Sequence, residues 1–228
     1  MHAQIVLFDG FDPLDVIAPF EVLHAGGTAS GAVSVELVSA EGPREVVSGT
    51  GGLALRATAA LDPARADLVV VPGASGRVGE AGDVPDHEVG AGEPTQDDPI
   101  PVLLGRTLTT ELPVLLKAAM GNPQVTVAAV CGGSLVLAMA GLLEGRHAVT
   151  HHLGLDLLDA TGVHVVNARV VDDGDLITSG GVTSGLDLGL YLLEREVGPR
   201  IAHAVEELFA HERRGTVWRA EGPVPVGF

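Results

Sequence analysis

The sequence predicts an α/β protein, a mostly parallel sheet covered by helices on both faces. Three observations predict it. Short aliphatic runs alternate with helical stretches along the chain. The run Leu68-Val69-Val70-Val71 is apolar at every position, as in a strand buried on both faces. The third is the stretch around the single cysteine. Val125-Thr126-Val127-Ala128-Ala129-Val130 runs into the small-residue knot Cys131-Gly132-Gly133, and an apolar helical run leaves it. That is a strand, a sharp turn and a helix, the geometry that presents the nucleophile of an elbow.

Composition sets the bounds. The chain has 228 residues, 46% of them hydrophobic, enough for one large α/β domain with a full core. Aromatics are only 3%, so Val, Leu, Ile and Ala must build that core. A net charge of -17 argues against nucleic acid, whose phosphates need Lys and Arg, and against anionic membrane surfaces. One cysteine excludes an intramolecular disulfide framework and a Cys-rich zinc site, and it fits a reducing cytoplasm. The opening residues lack the basic and apolar segments of a signal peptide, and no apolar run is long enough to cross a bilayer.

In chain order, residues 3–8 read as a buried opening strand. Asp9-Gly10-Phe11-Asp12-Pro13 carries strong turn chemistry. A helix follows through Val16, Ile17, Phe20, Val22 and Leu23, with its end expected near Gly26-Gly27. Asp15 lies at its start, where an N-cap is the ordinary role for an aspartate. Residues 33–38 read as the second strand, and a hairpin is expected around Gly49-Thr50-Gly51-Gly52. The strand at 68–71 leads into Pro72-Gly73-Ala74-Ser75-Gly76, a turn that offers backbone amides to a ligand but lacks the Gly-Lys-Ser/Thr of a phosphate loop.

Residues 77–101 are acidic, rich in Gly and Pro and poor in apolar side chains, and read as a surface insertion or lid without the acid spacing of an EF-hand. Helical character returns over 106–120, interrupted by Pro113, where either the main helix begins or the helix kinks. Beyond the cysteine helix come a short strand at 148–150, His151-His152, a helix at 155–160, strands at 163–166 and 176–178, and helices at 184–197 and 199–211. A zinc pair of His151 and His152 is disfavoured, since neighbours on an extended segment face opposite ways. No repeat or linker divides the chain. In parallel sheets ligands bind beyond the carboxyl ends of the strands. Asp15, Gly73, Cys131, His151 and residues 179–183 are all expected there, so a thiol, a carboxyl and a histidine can share one cleft.

Five motifs in this order resemble the ThiJ/PfpI superfamily, in its isonitrile hydratase branch. They are Phe11-Asp12-Pro13-Leu14-Asp15 with the helix after it, Val70-Val71-Pro72-Gly73-Ala74, Ala129-Val130-Cys131-Gly132-Gly133, Val149-Thr150-His151 with the preceding Gly145-Arg146, and Thr178-Ser179-Gly180-Gly181-Val182-Thr183-Ser184. The resemblance implies a flavodoxin-like three-layer sandwich, a homodimer, and no cofactor or metal. It implies Cys131 as nucleophile and Asp15 as its acid/base partner. It implies an anion-stabilising pocket lined by amides of Gly73, Ala74 and Gly132, and substrate contacts near Gly181 and Val182. His151 would be an accessory residue or a structural one. The implied reaction is hydration of isonitriles to N-substituted formamides. One departure stands out: that branch typically carries Thr after the cysteine, and this chain has Gly132. Two other readings use the same residues, glyoxalase-like aldehyde chemistry on the thiol and a non-catalytic ligand-binding or redox-sensing role. No late His-x-Glu pair supports an amidotransferase, and no basic helix-turn-helix segment supports DNA binding by this chain.

Overall fold

A computed structural model describes residues 1–78, 98–224 and 226. Its strands are β1 (His2–Leu7), β2 (Ser34–Ser39), β3 (Arg44–Val47), β4 (Ala54–Ala57), β5 (Ala59–Ala60), β6 (Leu68–Val71), β7 (Thr126–Val130), β8 (His147–Ala148), β9 (His164–Val165), β10 (Val170–Asp172), β11 (Leu176–Ser179) and β12 (Trp218–Arg219). Its helices are α1 (Pro13–Ser30), α2 (Ile100–Thr107), α3 (Leu112–Met120), α4 (Gly133–Met139), α5 (Leu155–Asp159), α6 (Ser184–Glu196) and α7 (Pro199–Phe209).

Eight strands form the main sheet in the order β12-β10-β11-β7-β6-β1-β2-β5. Every pairing in it is parallel except β10 with β11. Helices α1, α6 and α7 pack together, while α2, α4 and α5 form a second group with α4 at its centre. The sandwich expected from the sequence is therefore the architecture observed. β6 is buried at all four positions and β1 at all but its first, because both lie in the middle of the sheet. The chain lays β2 on one side of β1 and later returns to place β6 on the other. That reversal opens a crevice at the carboxyl ends of β1 and β6, the usual ligand position in such sheets. β7 lies beside β6, and β11 beside β7. The segments that leave β1, β6, β7 and β11 thus converge at one end of the sheet.

Several boundaries differ from expectation. Helix α1 does not stop at Gly26-Gly27 but continues to Ser30 and closes on Gly31 at φ 68°. The two glycines serve close approach. A Cβ on Gly26 would lie 2.4 Å from Leu193 of α6, and one on Gly27 would lie 2.3 Å from the Val33 carbonyl. The hairpin β3–β4 forms as predicted, antiparallel with Val46 opposite Leu55. α2 begins at Ile100, so the acidic insertion ends earlier than 101, at the Arg77–Pro99 bridge. Most of that insertion, residues 79–97, lies outside the described residues. β10 and β12 were not anticipated, and β12 places residues beyond the last expected helix in the sheet. Residues 148–150 do not extend the main sheet: β8 and β9 pair with each other as a separate parallel ribbon. No described helix is long and apolar enough to cross a membrane.

Candidate active site

Cys131 is the pivot. Its φ of 54° is left-handed, and only one other described non-glycine residue, Ala210, has a positive φ. Holding a non-glycine residue there costs about 1–3 kcal/mol and requires surroundings that fix it. The Cys131 N–H is shared between the carbonyls of Ser179 and Gly180, each at 3.0 Å, at the end of β11. The Cys131 carbonyl accepts from the Thr150 hydroxyl at 2.8 Å and the Ser134 hydroxyl at 3.2 Å. Gly133 lets the turn press onto β6, since a Cβ there would lie 2.1 Å from the Val71 carbonyl. The elbow read from the sequence is therefore present.

Asp15 meets it from α1. The residue expected to cap that helix is not Asp15: Asp12 is the N-cap and accepts from the Leu14 N–H at 2.9 Å. Asp15 is one turn further in and fully buried. Its Oδ2 accepts from the Gly73 N–H at 2.9 Å, and the carboxyl also interacts with the Cys131 thiol. Its Oδ1 is buried with no hydrogen-bond partner among the described residues. The loop before α1 is pinned to the turn after β6. Asp12 N–H donates to the Gly73 carbonyl at 2.9 Å, and Ser75 N–H donates to the Gly10 carbonyl at 3.1 Å, flanking a Phe11–Ala74 bridge.

Gly73 was expected to line an anion-stabilising pocket with its amide. Its N–H instead holds the carboxyl of Asp15. The Gly132 amide favours the charged form of the Cys131 thiol. A Cβ on Gly73 would lie 2.6 Å from Gly132 N and 2.8 Å from Asp15 Oδ2. Gly73→Ala is therefore expected to lower stability by about 1–3 kcal/mol through overpacking, and to separate the carboxyl from the thiol. Urea denaturation checks the first effect; a wild-type midpoint would show that the turn yields without cost.

Electrostatics correct a second expectation. An amide-rich turn at the start of a helix favours thiolate, which predicts a lowered thiol pKa. Burial, followed by the Asp15 and Asp12 charges, instead pushes the Cys131 thiol well above its ordinary range, against the Gly132 amide. Burial, then Asp12, also raises Asp15 well above the usual carboxylate value, against the Gly73 amide and the thiol. The resting site thus favours the neutral thiol. A carboxyl group with a raised pKa is well matched to taking that proton as the sulfur attacks.

The remaining expected residues occupy the rim. His151 caps the 3-10 turn at 152–154, where its Nδ1 accepts from the Leu153 N–H at 3.3 Å. That turn brings the His151 and His152 rings to 4.1 Å, so they do not face opposite ways as an extended segment would place them. Burial, then His152, lowers the His151 pKa. No group of three metal-ligating side chains occurs among the described residues. Gly181 lies against His151, and a Cβ there would be 3.2 Å from Cδ2 of the ring. The carbonyls of Gly181 and Val182 are engaged by the Ser184 and Gly185 N–H groups at the start of α6. Gly180, not Gly181, contacts the nucleophile's backbone. Gly132 packs on α2, and a Cβ there would be 3.3 Å from Leu104 Cδ1. Leu104 thus borders the place where the isonitrile hydratase branch carries a threonine side chain.

Sequence reasoning missed Thr150 and Ser134 as parts of this site. A cavity of about 1030 Å³ lies elsewhere, between α6, α7 and residues 210–219. Several of its charged side chains pair with one another, as Arg213 does with Glu206 at 2.6 Å and His211 with Asp187 at 3.2 Å.

Comparison with known proteins agrees with this architecture. Residues 106–195 match the DJ-1/PfpI family. An isonitrile hydratase from Pseudomonas putida is 49% identical over 80 residues, 35% of this chain and 35% of that protein. An uncharacterised protein from Streptomyces lividans is 35% identical over 153 residues, 66% of this chain and 87% of that one. The HTH-type transcriptional regulator CdhR of Pseudomonas aeruginosa is 39% identical over 87 residues, 37% of this chain and 26% of the regulator. The match thus spans about a third of the hydratase and about a quarter of the regulator. Among solved structures, a ThiJ/PfpI family protein from Pseudomonas syringae superposes with a TM-score of 0.71 at 23% identity, covering 94% of this chain and 76% of that one.

Proposed function

The chain belongs to the DJ-1/PfpI family, and from that premise we propose that it is a cysteine-dependent lyase that adds water to isonitriles. The observation that carries this reading is the buried pair of Asp15 and Cys131, with one carboxyl oxygen fixed by Gly73 and the other lacking a hydrogen-bond partner among the described residues. The partial similarity to an isonitrile hydratase supplies the substrate class.

In this mechanism the Cys131 sulfur attacks the terminal isonitrile carbon as Asp15 takes the thiol proton. Asp15 returns that proton to the same carbon, which gives a thioimidate, R–N=CH–S–Cys131. Water then adds to the CH carbon, its proton passing through Asp15 to nitrogen. Collapse of the resulting adduct expels the sulfur, which regains a proton, and releases R–NH–CHO. One water is consumed and no redox partner is needed. The raised pKa of Asp15 suits a group that must both take and give a proton.

The test is a panel of small isonitriles with formamide detection, run beside Cys131→Ala. Formation of formamide that depends on the thiol supports the reading; no formamide from any member removes it. Aldehyde turnover on the same thiol would instead favour glyoxalase-like chemistry. A second reading, a ligand-sensing protein, is favoured by the similarity to the regulator CdhR. It expects ligands that raise the melting temperature without being converted.

We further propose a cytoplasmic homodimer that binds a small molecule and neither nucleic acid nor membrane. Light scattering is expected to give the dimer mass at micromolar concentration; a monomer mass would overturn this.

A further inference from the structure

We propose that Thr150 is a positioning residue for the nucleophile, its hydroxyl holding the peptide between Cys131 and Gly132 so that the thiol stays beside Asp15. The proposal rests on the reading of Cys131 as the reacting group.

Thr150 is only 1% exposed, and its hydroxyl donates to the Cys131 carbonyl at 2.8 Å across 19 residues of sequence. The peptide unit is planar, so the carbonyl of Cys131 and the N–H of Gly132 move as one body. That nitrogen packs on Gly73, whose added Cβ would lie 2.6 Å from it, and the Gly73 N–H holds the Asp15 carboxyl. Fixing the oxygen therefore fixes the amide that packs on the turn holding Asp15. The second carbonyl contact comes from Ser134, three residues along in α4, at 3.2 Å. Ser134 moves with the elbow; Thr150 does not. It belongs to the segment between β8 and the 152–154 turn, and anchors the carbonyl to a separate part of the fold. The N–H side of Cys131 is already fixed by Ser179 and Gly180. With the carbonyl side held as well, the left-handed φ of 54° is constrained from both ends. Thr150 is itself packed: a Cβ on Gly154 would lie 3.3 Å from its Cγ2.

The groups acting on the thiol are Asp15 and Asp12 from the α1 side and the Gly132 amide of its own turn. A carbonyl released from Thr150 frees the elbow to relax from its left-handed φ of 54°, which carries the sulfur away from Asp15. Misplacement of a reacting group by about 1 Å costs on the order of 100-fold in rate. Less burial and a more distant carboxylate also bring the thiol back toward its ordinary pKa of about 8.5. Turnover and simple alkylation then move in opposite directions.

The test compares Thr150→Val, which keeps the shape and removes the hydroxyl, with Thr150→Ser, which keeps the hydroxyl. In Thr150→Val, isonitrile turnover is expected to fall roughly 10- to 100-fold. Its iodoacetamide labelling of Cys131 should shift to lower pH. Thr150→Ser should restore both. A folded Val variant with the parental labelling profile would overturn the proposal, since a purely structural role predicts only a lower melting temperature. If the Val variant does not fold, Thr150→Ala replaces it. If neither hydroxyl-free variant folds while Thr150→Ser does, Thr150 holds the fold and the positioning role falls. A parent that converts no isonitrile removes the proposed activity, while the labelling profile still decides the role of Thr150.

Discussion

Cys131→Ser is expected to give a folded protein with no measurable turnover and no iodoacetamide labelling. The chain has one cysteine, so labelling falls from one site per chain to none. Serine is nearly isosteric, and its backbone meets the same Ser179, Gly180 and Thr150 contacts. The elbow therefore persists while the nucleophile is lost. A serine hydroxyl is far less acidic than a thiol, and a lone carboxyl group does not activate it as it does sulfur. In the parent, labelling should keep rising above pH 9, because burial and the Asp15 charge oppose the thiolate. That is opposite to the behaviour of a cysteine activated by a helix N-terminus. Residual turnover in the serine variant would remove Cys131 from the chemistry. A labelling midpoint below that of a free cysteine would show that the amides outweigh burial.

The parts of this site that can be read from sequence are those fixed by local chemistry. The elbow is legible because a β-branched strand, a small-residue knot and an apolar helix follow one another without interruption at residues 125–140. The convergence of Asp15, Gly73 and Cys131 follows from sheet topology once the strands are placed. What is not legible depends on contacts between distant segments. Asp12 and Asp15 both stand at the entrance to α1, and only the fold shows that the first caps while the second turns inward. Gly26 and Gly27 look like a helix end, yet they stay helical because Leu193 and Val33 need the space of a side chain. β10 and β12 are three and two residues long and exist through pairing with partners already in the sheet. Thr150 carried no signal beyond its place in the Val149-Thr150-His151 motif, since a threonine at a strand end is ordinary. Its hydroxyl gains meaning only when the Cys131 carbonyl is brought to it.

Asp15→Asn is expected to abolish turnover while flattening the dependence of stability on pH. The change nearly preserves shape and removes the titratable group. It is not the loss of a helix cap, because Asp12 supplies the cap. If Asp15 carries the proton, turnover should fall by roughly two to four orders of magnitude. The stability argument has a definite sign. Burial raises the Asp15 pKa in the folded protein above its unfolded value. The folded state therefore binds the proton more tightly, and this contribution is complete below the unfolded value of about 3.9. As pH climbs from there through the raised folded value, the contribution is lost. Asparagine has no proton to lose, so that decline disappears from the variant. Its amide must sit where Oδ1 has no hydrogen-bond partner among the described residues, which sets a cost of about 1–3 kcal/mol against it at every pH. The stability difference between variant and parent should hence shift in favour of the variant from pH 4 upward. Urea denaturation at a series of pH values measures that difference, with the other titrating groups cancelling. A difference constant with pH would mean that Asp15 does not titrate abnormally in the fold. Turnover near the parental rate would leave the carboxyl a buried partner of the Gly73 amide, with the proton carried by another group.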